Sequence, residues 1–192
     1  MEAAVRWSPR STADQRRFFL VDVAESSVTL KEVQADRQMA TRYRTVSKCS
    51  KLSNIGAFAC SPVQESIAAV GLLSGNTALV QLREDQQVTE PVATYRIKQQ
   101  RKCNSVAFSS RNWLAVALDK TRSDVCLNIY DVGSQSQTSQ DPVRKLCAAE
   151  HVSSVRFFPS QPQELLATTQ RTFIRLYDLR GMLACLSSRF YI

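Results

Sequence analysis

One pattern, repeated four times at intervals of about 50 residues, constrains the fold of this 192-residue chain more than any other feature. Each copy has a short strand ending in an aromatic residue, a Ser/Pro turn, a strand of small apolar residues, a polar turn and an alternating strand. The aromatic residues are Trp7, Phe58, Phe108 and Phe157, so the intervals are 51, 50 and 49 residues. Self-similarity at this period is typical of repeat architectures.

A further extended segment lies between neighbouring copies, at residues 40–46, 92–97 and, with a weaker pattern, 143–147. Three strands plus this fourth make a four-stranded antiparallel meander in each repeat. Meanders of this length repeated along a chain form the blades of a β-propeller. The pattern therefore predicts an all-β chain of about four blades, which is an incomplete ring.

The second strand of each copy is almost continuously apolar and small, as in Ile67–Val70, Leu114–Ala117 and Leu165–Ala167. This predicts an inner strand that neighbouring blades cover on both faces, and it places Ala115 between blades. The third strand alternates, as in Phe173–Leu179, which predicts a sheet covered mainly on one side.

Two dipeptides end the third strand of their copies, Tyr130-Asp131 and Tyr177-Asp178. They resemble the Trp-Asp dipeptide of WD repeats, and Glu150-His151 lies near the place of the Gly-His of those repeats. The resemblance implies a WD-repeat β-propeller. We expect its blades at about residues 4–50, 51–100, 101–150 and, in part, 151–180, with 181–192 as a divergent tail.

The third repeat carries more specific strings in a fixed order. They are Cys103-Asn104-Ser105, then Asn112-Trp113 with Leu-Ala after it, then Asp119-Lys120 followed by Arg122 and Asp124. Together with Tyr130-Asp131 they closely resemble the amino-terminal propeller of the Mio family. These proteins are subunits of the SEA complex of fungi, called GATOR in animals.

The resemblance to the Mio family implies a non-catalytic scaffold that regulates TORC1 signalling in response to amino acids. It implies other SEA/GATOR subunits as protein partners, no cofactor, and a cytoplasmic chain held at the vacuolar or lysosomal membrane through the complex. A generic WD-repeat adaptor in trafficking or ubiquitination is the alternative. A propeller enzyme or a nucleic-acid binder is a third possibility, suggested only by the net charge of +8.

In the Mio pattern another inter-repeat strand and further blades follow the position of Arg180. The sequence from 181 to 192 does not match that continuation. The later helical solenoid and zinc-binding region of that family are also missing. We therefore expect a fragment or truncated product that leaves the apolar faces of blades one and four uncovered.

Candidate catalytic groups have simpler structural interpretations. His151 is the only histidine, and its spacing predicts a hydrogen bond within the fourth blade and not a general base. Asp119 and Asp124 flank Lys120 and Arg122 in a turn, which favours a solvated or contact surface over acid–base chemistry. Trp113 begins an apolar strand and is predicted to anchor the core.

Charge and cysteine usage exclude other classes. Lys and Arg are scattered, with the densest groups at residues 16–17, 42–51 and 96–102, so we expect solvated edges and no nucleic-acid partner. The six cysteines, at positions 49, 60, 103, 126, 147 and 185, include no CxxC pair, so no metal site is expected.

The amino terminus lacks the apolar core of a signal peptide, and no apolar run approaches the length of a membrane span. We therefore expect a cytosolic chain whose cysteine thiols are reduced.

Overall fold

The computed structural model describes residues 4–9, 11–12, 15–35, 41–122, 124–133, 141–148, 150–169, 173–181 and 185–186. All regular secondary structure in these residues is β-strand, and the strands form four sheets that follow one another in the chain. The predicted fold class is therefore confirmed: the chain is all-β and its sheets are the blades of an incomplete propeller ring.

Each sheet is an antiparallel meander whose four main strands are neighbours in chain order. The first sheet contains β1 (Ala4–Trp7), β2 (Arg16–Asp22), β3 (Ser27–Ala35) and β4 (Thr41–Cys49). The second contains β5 (Ile55–Cys60), β6 (Ile67–Leu72), β7 (Thr77–Gln81) and β9 (Ala93–Tyr95). The short strand β8 (Val88–Thr89), which lies between β7 and β9 in the chain, belongs to the first sheet. The third contains β10 (Cys103–Phe108), β11 (Trp113–Leu118), β12 (Val125–Asp131) and β13 (Arg144–Ala148). The fourth contains β14 (Val152–Phe157), β15 (Glu164–Thr169), β16 (Phe173–Asp178) and β17 (Cys185–Leu186).

The core is divided into three layers, each between two consecutive sheets. Phe19 and Val21 of the first sheet pack with Ala68 and Val70 of the second. A second layer lies between sheets two and three, and a third between sheets three and four. Each blade therefore buries its apolar residues against its neighbours, as expected for a repeat architecture.

Strand β11 shows why the second strand of the repeat is apolar throughout. Leu114, Val116 and Leu118 pack toward sheet two, whereas Ala115 and Ala117 pack toward sheet four. Successive side chains of a strand point to opposite faces, so a strand between two other sheets has no solvent face. The small alanines allow close approach of the fourth sheet.

The third strand differs from the prediction in blade three. All five residues from Cys126 to Tyr130 are buried, so β12 is covered on both faces and not mainly on one. The physical reason is that sheets two and four lie on its two sides. In blade four, which has only sheet three as a described neighbour, Tyr177 is the only buried residue of β16.

Gly71 marks a close approach between the second and third blades. A β-carbon at this position would lie 2.3 Å from Cys103 Sγ and 3.1 Å from Ala57 Cβ. Glycine therefore leaves room in β6 for the cysteine of the neighbouring blade, whose side chain is fully buried.

Two short strands were not anticipated. β8 pairs in parallel with β4, with Lys48 opposite Val88, and so ties a segment of the second repeat to the first sheet. β17 pairs with β16 through Tyr177 and Cys185. The expectation that the inter-repeat strand is lost after Arg180 is thus corrected at residues 185–186, while most of the remaining tail lies outside the described residues.

The first sheet carries an exposed aromatic ladder. The ring of Phe18 lies 5.9 Å from that of Trp7 and 5.5 Å from that of Tyr43, both in edge-to-face geometry. Trp7 and Tyr43 are 62% and 59% exposed. An apolar surface is therefore open on blade one, for which sheet two is the described neighbour. Among the described residues, no helix is long and apolar enough to span a membrane.

Candidate functional site

Asn104, Asp119 and His151 form a polar cluster where the third blade meets the fourth. Asn104 Nδ2 donates to Asp119 Oδ1 at 2.8 Å and to the carbonyl of Val152 at 3.0 Å. His151 Nδ1 lies 3.0 Å from the same carboxylate oxygen. The cluster therefore joins the turn after β11 to the entry of β14.

This arrangement corrects the predicted partner of His151. Among the described residues, the partner of the histidine is Asp119 of the preceding blade, because the entry segment of β14 runs beside that turn. Further bonds follow the same junction: the Val155 amide donates to Ser105 Oγ at 3.3 Å, and Ser109 Oγ donates to the Pro162 carbonyl.

Asp124 belongs to a second cluster around the buried side chain of Arg101. The Arg101 guanidinium donates to Asp124 Oδ2 at 2.9 Å, to Thr121 Oγ1 at 2.8 Å and to the Val125 carbonyl at 2.7 Å. Its side chain is only 3% exposed. Asp119 and Asp124, for which the sequence favoured a solvated or contact turn over acid–base chemistry, are therefore held in separate structural clusters. Lys120 and Arg122 are exposed on the same turn.

The two Tyr-Asp dipeptides end their strands in the same way. Asp131 Oδ1 accepts the Gly133 amide, and Asp178 Oδ1 accepts the Arg180 amide, each at 2.9 Å. An aspartate that accepts the amide two residues ahead closes a turn. Asp178 also binds the Arg180 guanidinium, and this hydrogen bond lowers the pKa of its carboxyl.

The tyrosines of these dipeptides are core residues. Tyr130 is buried against Tyr95, with ring centroids 4.4 Å apart, and burial raises the pKa of its hydroxyl to about 12. The Tyr177 hydroxyl lies 2.6 Å from Cys147 Sγ. Both rings occupy the place of the tryptophan of a WD dipeptide and supply apolar area between blades.

The remaining motif residues also have structural roles. Asn112 adopts φ 60° in the turn before β11, and its carbonyl accepts the Val132 amide at 2.9 Å. Trp113 is half-buried against the core between blades three and four, where it lines a small cavity with Ile129, Val143, Arg144 and Leu179. Burial raises the pKa of the Cys103 thiol to about 12, so this cysteine is a protonated core residue.

The predicted basic groups include several residues that form ion pairs. At the junction of blades one and two, Arg17 binds both Glu32 and Glu84, and Arg44 Nη2 lies 3.2 Å from Glu32 Oε1. Lys48 Nζ lies 2.6 Å from Glu25 Oε2. In the described part of the chain, no group of three His, Cys, Asp or Glu side chains is placed to hold a metal ion.

Glu32 makes the stability of the blade one–two junction sensitive to acid. Burial acts to raise the pKa of its carboxyl, but hydrogen bonds from Arg17 and Arg44 outweigh burial and lower it. Because the folded-state pKa is below the unfolded one, the stabilisation is present above the unfolded pKa and is lost as pH falls through the folded pKa. We expect Glu32→Gln to cost about 1 kcal/mol at pH 7 and progressively less toward pH 3.

Urea unfolding of the wild type and Glu32→Gln between pH 7 and pH 3 measures this difference. Glu90→Gln is the matched control, since Glu90 is 85% exposed and lies 4.0 Å from Lys51. A stability difference for Glu32→Gln that stays constant with pH would contradict the assigned ion pairs.

A cavity of about 310 Å³ lies among the first strands of all four blades. The four repeat aromatics, Trp7, Phe58, Phe108 and Phe157, line it together. Arg6 and Arg156 line it as well, and both are exposed. The sequence predicts the four aromatics as repeat markers, whereas the cavity they line was not predicted. One sequence feature could have indicated a charged site here. An arginine immediately precedes the aromatic residue in blades one and four, whereas alanine occupies that position in blades two and three.

Comparison with known proteins supports a WD-repeat assignment. No family model matches the chain. Over 174 residues it is 25% identical to an uncharacterized WD repeat-containing protein of Schizosaccharomyces pombe, an alignment that covers 89% of this chain. The alignment covers 18% of that relative, so the chain spans less than a fifth of its length.

The crystal structure of Saccharomyces cerevisiae Sqt1 matches the fold with a TM-score of 0.67 at 12% identity. The match covers 90% of this chain and 48% of the Sqt1 chain. WD-repeat propellers are generally non-catalytic scaffolds that bind protein partners. The sequence relative and the shared fold together support a WD-repeat family for this chain, whose propeller blades suggest a protein-interaction scaffold.

Proposed function

We propose that this chain is a scaffold subunit of the SEA/GATOR complex and regulates TORC1 signalling in response to amino acids. The observation that supports the proposal is the order of strings in the third repeat, from Cys103-Asn104-Ser105 to Asp119-Lys120 and on to Arg122 and Asp124. These strings resemble the Mio family over about 30 residues. The proposed partners are other subunits of that complex, and no bond is made or broken.

The positions of these residues separate a structural role from a contact role. Asn104, Asp119 and Asp124 are hydrogen bonded at blade junctions and turns, so they shape the third blade. Lys120 and Arg122 are exposed on the turn between β11 and β12. The hydrogen-bonded group maintains the fold of the blade. Lys120 and Arg122 are accessible to a neighbouring subunit. We assign Lys120 and Arg122 to that contact.

The proposed location follows from the same assembly. The chain would be cytoplasmic and would reach the vacuolar or lysosomal membrane through the other subunits, without inserting into the bilayer. Fluorescence imaging of the tagged chain with a vacuolar or lysosomal membrane marker tests this location.

Co-purification tests the function. The tagged 192-residue chain is expressed in cells of its source organism, recovered by two affinity steps and examined by mass spectrometry. We expect SEA/GATOR subunits with the wild type, and at least tenfold less of them with Lys120→Glu/Arg122→Glu. Lys98→Glu, at another exposed lysine, is the matched control and should recover wild-type amounts.

Other outcomes would identify the alternatives. Recovery of trafficking or ubiquitination components without SEA/GATOR subunits would replace the proposal with a generic WD-repeat adaptor. Salt-sensitive binding of DNA by the purified chain, without sequence preference, would indicate a nucleic-acid binder. Equal recovery of SEA/GATOR subunits with the double variant would place the contact elsewhere on the blades.

A further inference from the structure

We propose that the cavity among the first strands of the four blades binds an acidic peptide segment of a partner protein. In this arrangement a carboxylate of the peptide meets Arg6 and Arg156, and an adjacent apolar side chain lies against the repeat aromatics. The inference deepens the scaffold function proposed above by naming the class of ligand and the residues that take it.

The repeat itself brings the cavity walls together. β1, β5, β10 and β14 are the first strands of their blades, and β10 lies directly beside both β5 and β14. Because the blades follow one repeat, the aromatic that ends each first strand arrives at the same place in the ring. A volume of about 310 Å³ is at the lower end of the range of about 300–1,000 Å³ for ligand pockets, which suits one or two side chains.

The charge of the cavity is positive and is not neutralised within the described residues. Arg6 Nη1 donates to the neighbouring Val5 carbonyl at 3.0 Å, and Arg156 Nη1 donates to the Val155 carbonyl at 2.9 Å. Neither guanidinium forms an ion pair with a described carboxylate, and none of the described residues that line the cavity is acidic.

Other arginines of the same chain differ in this respect. Arg17 and Arg175 bind glutamates, and Arg101 binds Asp124. Unpaired guanidinium groups beside a cavity favour an anionic ligand, and arginine binds carboxylates through paired N–H donors.

The shape of the cavity favours a peptide over a nucleic acid. Nucleic-acid binding without sequence preference uses a row of cations along several phosphates. Here two cations line a small concave site whose walls are aromatic. Burying an apolar side chain against these walls removes apolar surface from water, which favours binding. A peptide with an acidic residue next to an apolar one offers both groups within one segment.

A random 12-residue peptide library displayed on phage tests the inference with the full 192-residue chain. We expect selected peptides to be enriched in Asp or Glu next to Phe, Leu, Ile or Trp. The most enriched peptide is then synthesised, and its Kd is measured by fluorescence anisotropy. Arg6→Glu and Arg156→Glu should each weaken binding about tenfold or more, since each reverses a charge-assisted contact.

Lys145→Glu is the matched control, because it makes the same charge change on an exposed residue of β13, at the opposite edge of the third sheet from β10. It should leave the Kd within twofold of the wild type. Unchanged thermal unfolding of all three variants establishes that they remain folded.

Three results would overturn the inference. They are failure to select any peptide, selection of peptides without acidic residues, and equal binding of the selected peptide by the Arg6→Glu, Arg156→Glu and wild-type chains. Binding of a 20-nucleotide single strand that depends on Arg6 and Arg156, and displaces the peptide, would replace the peptide with a nucleic acid.

The test is separable from that of SEA/GATOR membership. Selection of acidic peptides by a chain that recovers no SEA/GATOR subunit would support the cavity ligand and reject the complex. Recovery of the subunits with no peptide selected would reject the cavity ligand alone.

Discussion

Replacing Ala115 with glutamate is expected to abolish soluble expression of the chain. Ala115 is fully buried in the middle of β11, opposite Ala107 on one side and Ile129 on the other. Its side chain belongs to the apolar layer between blades three and four. A carboxylate in this layer would have no partner, and the cost of burying an unpaired charge is several kcal/mol even after relaxation. That is comparable with the whole stability of a typical domain, about 5–15 kcal/mol.

Two further variants separate the effect of charge from those of size and composition. Ala115→Gln has nearly the same volume as the glutamate variant without its charge, so it should be destabilised but less severely. Lys120→Glu introduces the same residue at an exposed turn and should express like the wild type. Soluble yield and thermal unfolding are the measurements. An Ala115→Glu chain that remains soluble and unfolds cooperatively would show that β11 is not the buried strand between two blades.

Replacing Arg101 with methionine is expected to lower the free energy of unfolding by about 3 kcal/mol. Methionine retains most of the aliphatic volume but removes the three hydrogen bonds that the guanidinium donates to Thr121, Asp124 and Val125. These bonds hold the turn between β11 and β12, because Arg101 precedes β10 and reaches across to the middle of that turn at Thr121 and to its end at Asp124 and Val125. The Val125 carbonyl would then lose a charge-assisted donor.

Urea unfolding of Arg101→Met, Asp124→Asn and the double variant measures this contribution as a double-mutant cycle. Lys102→Met is the matched control at the exposed neighbouring residue and should change stability by less than about 0.5 kcal/mol. A loss of similar size for Arg101→Met and Lys102→Met would contradict the role of Arg101 in holding the turn. A coupling energy near zero would show that Asp124 is not an essential partner.

Much of the fold could be predicted because the repeat is local and its residue types are restrictive. The second strands were located correctly, since a run such as Leu114–Ala117 suits only a strand without a solvent face. The coverage of β12 could not be predicted from its own alternation. Its second face is covered because sheets lie on both sides of blade three, and that depends on the position of the blade in the ring.

Short pairings were missed for a related reason. Val88–Thr89 and Cys185–Leu186 are each two residues long, so they have no periodicity to detect. Each forms its strand only by pairing with a longer neighbouring strand, β4 or β16. Likewise, Asn104 was singled out only by a resemblance, and Asp119 by that resemblance and by its spacing from Asp124. The hydrogen bond between Asn104 and Asp119, and the contact of Asp119 with His151, depend on the turn after β11 lying beside the entry to β14.

The sequence by itself determined the repeat, the all-β class and which strand residues are apolar. The repeat follows from the spacing of the aromatic residues, and the strand types follow from whether apolar residues are continuous or alternate. Only the tertiary structure decided which residues meet across blades. Arg6 and Arg156 are 150 positions apart in the chain and have no local pattern in common beyond the aromatic that follows each. They line one cavity because the blades curve around a common centre, and that curvature comes from packing between sheets and not from the order of residues within any one of them.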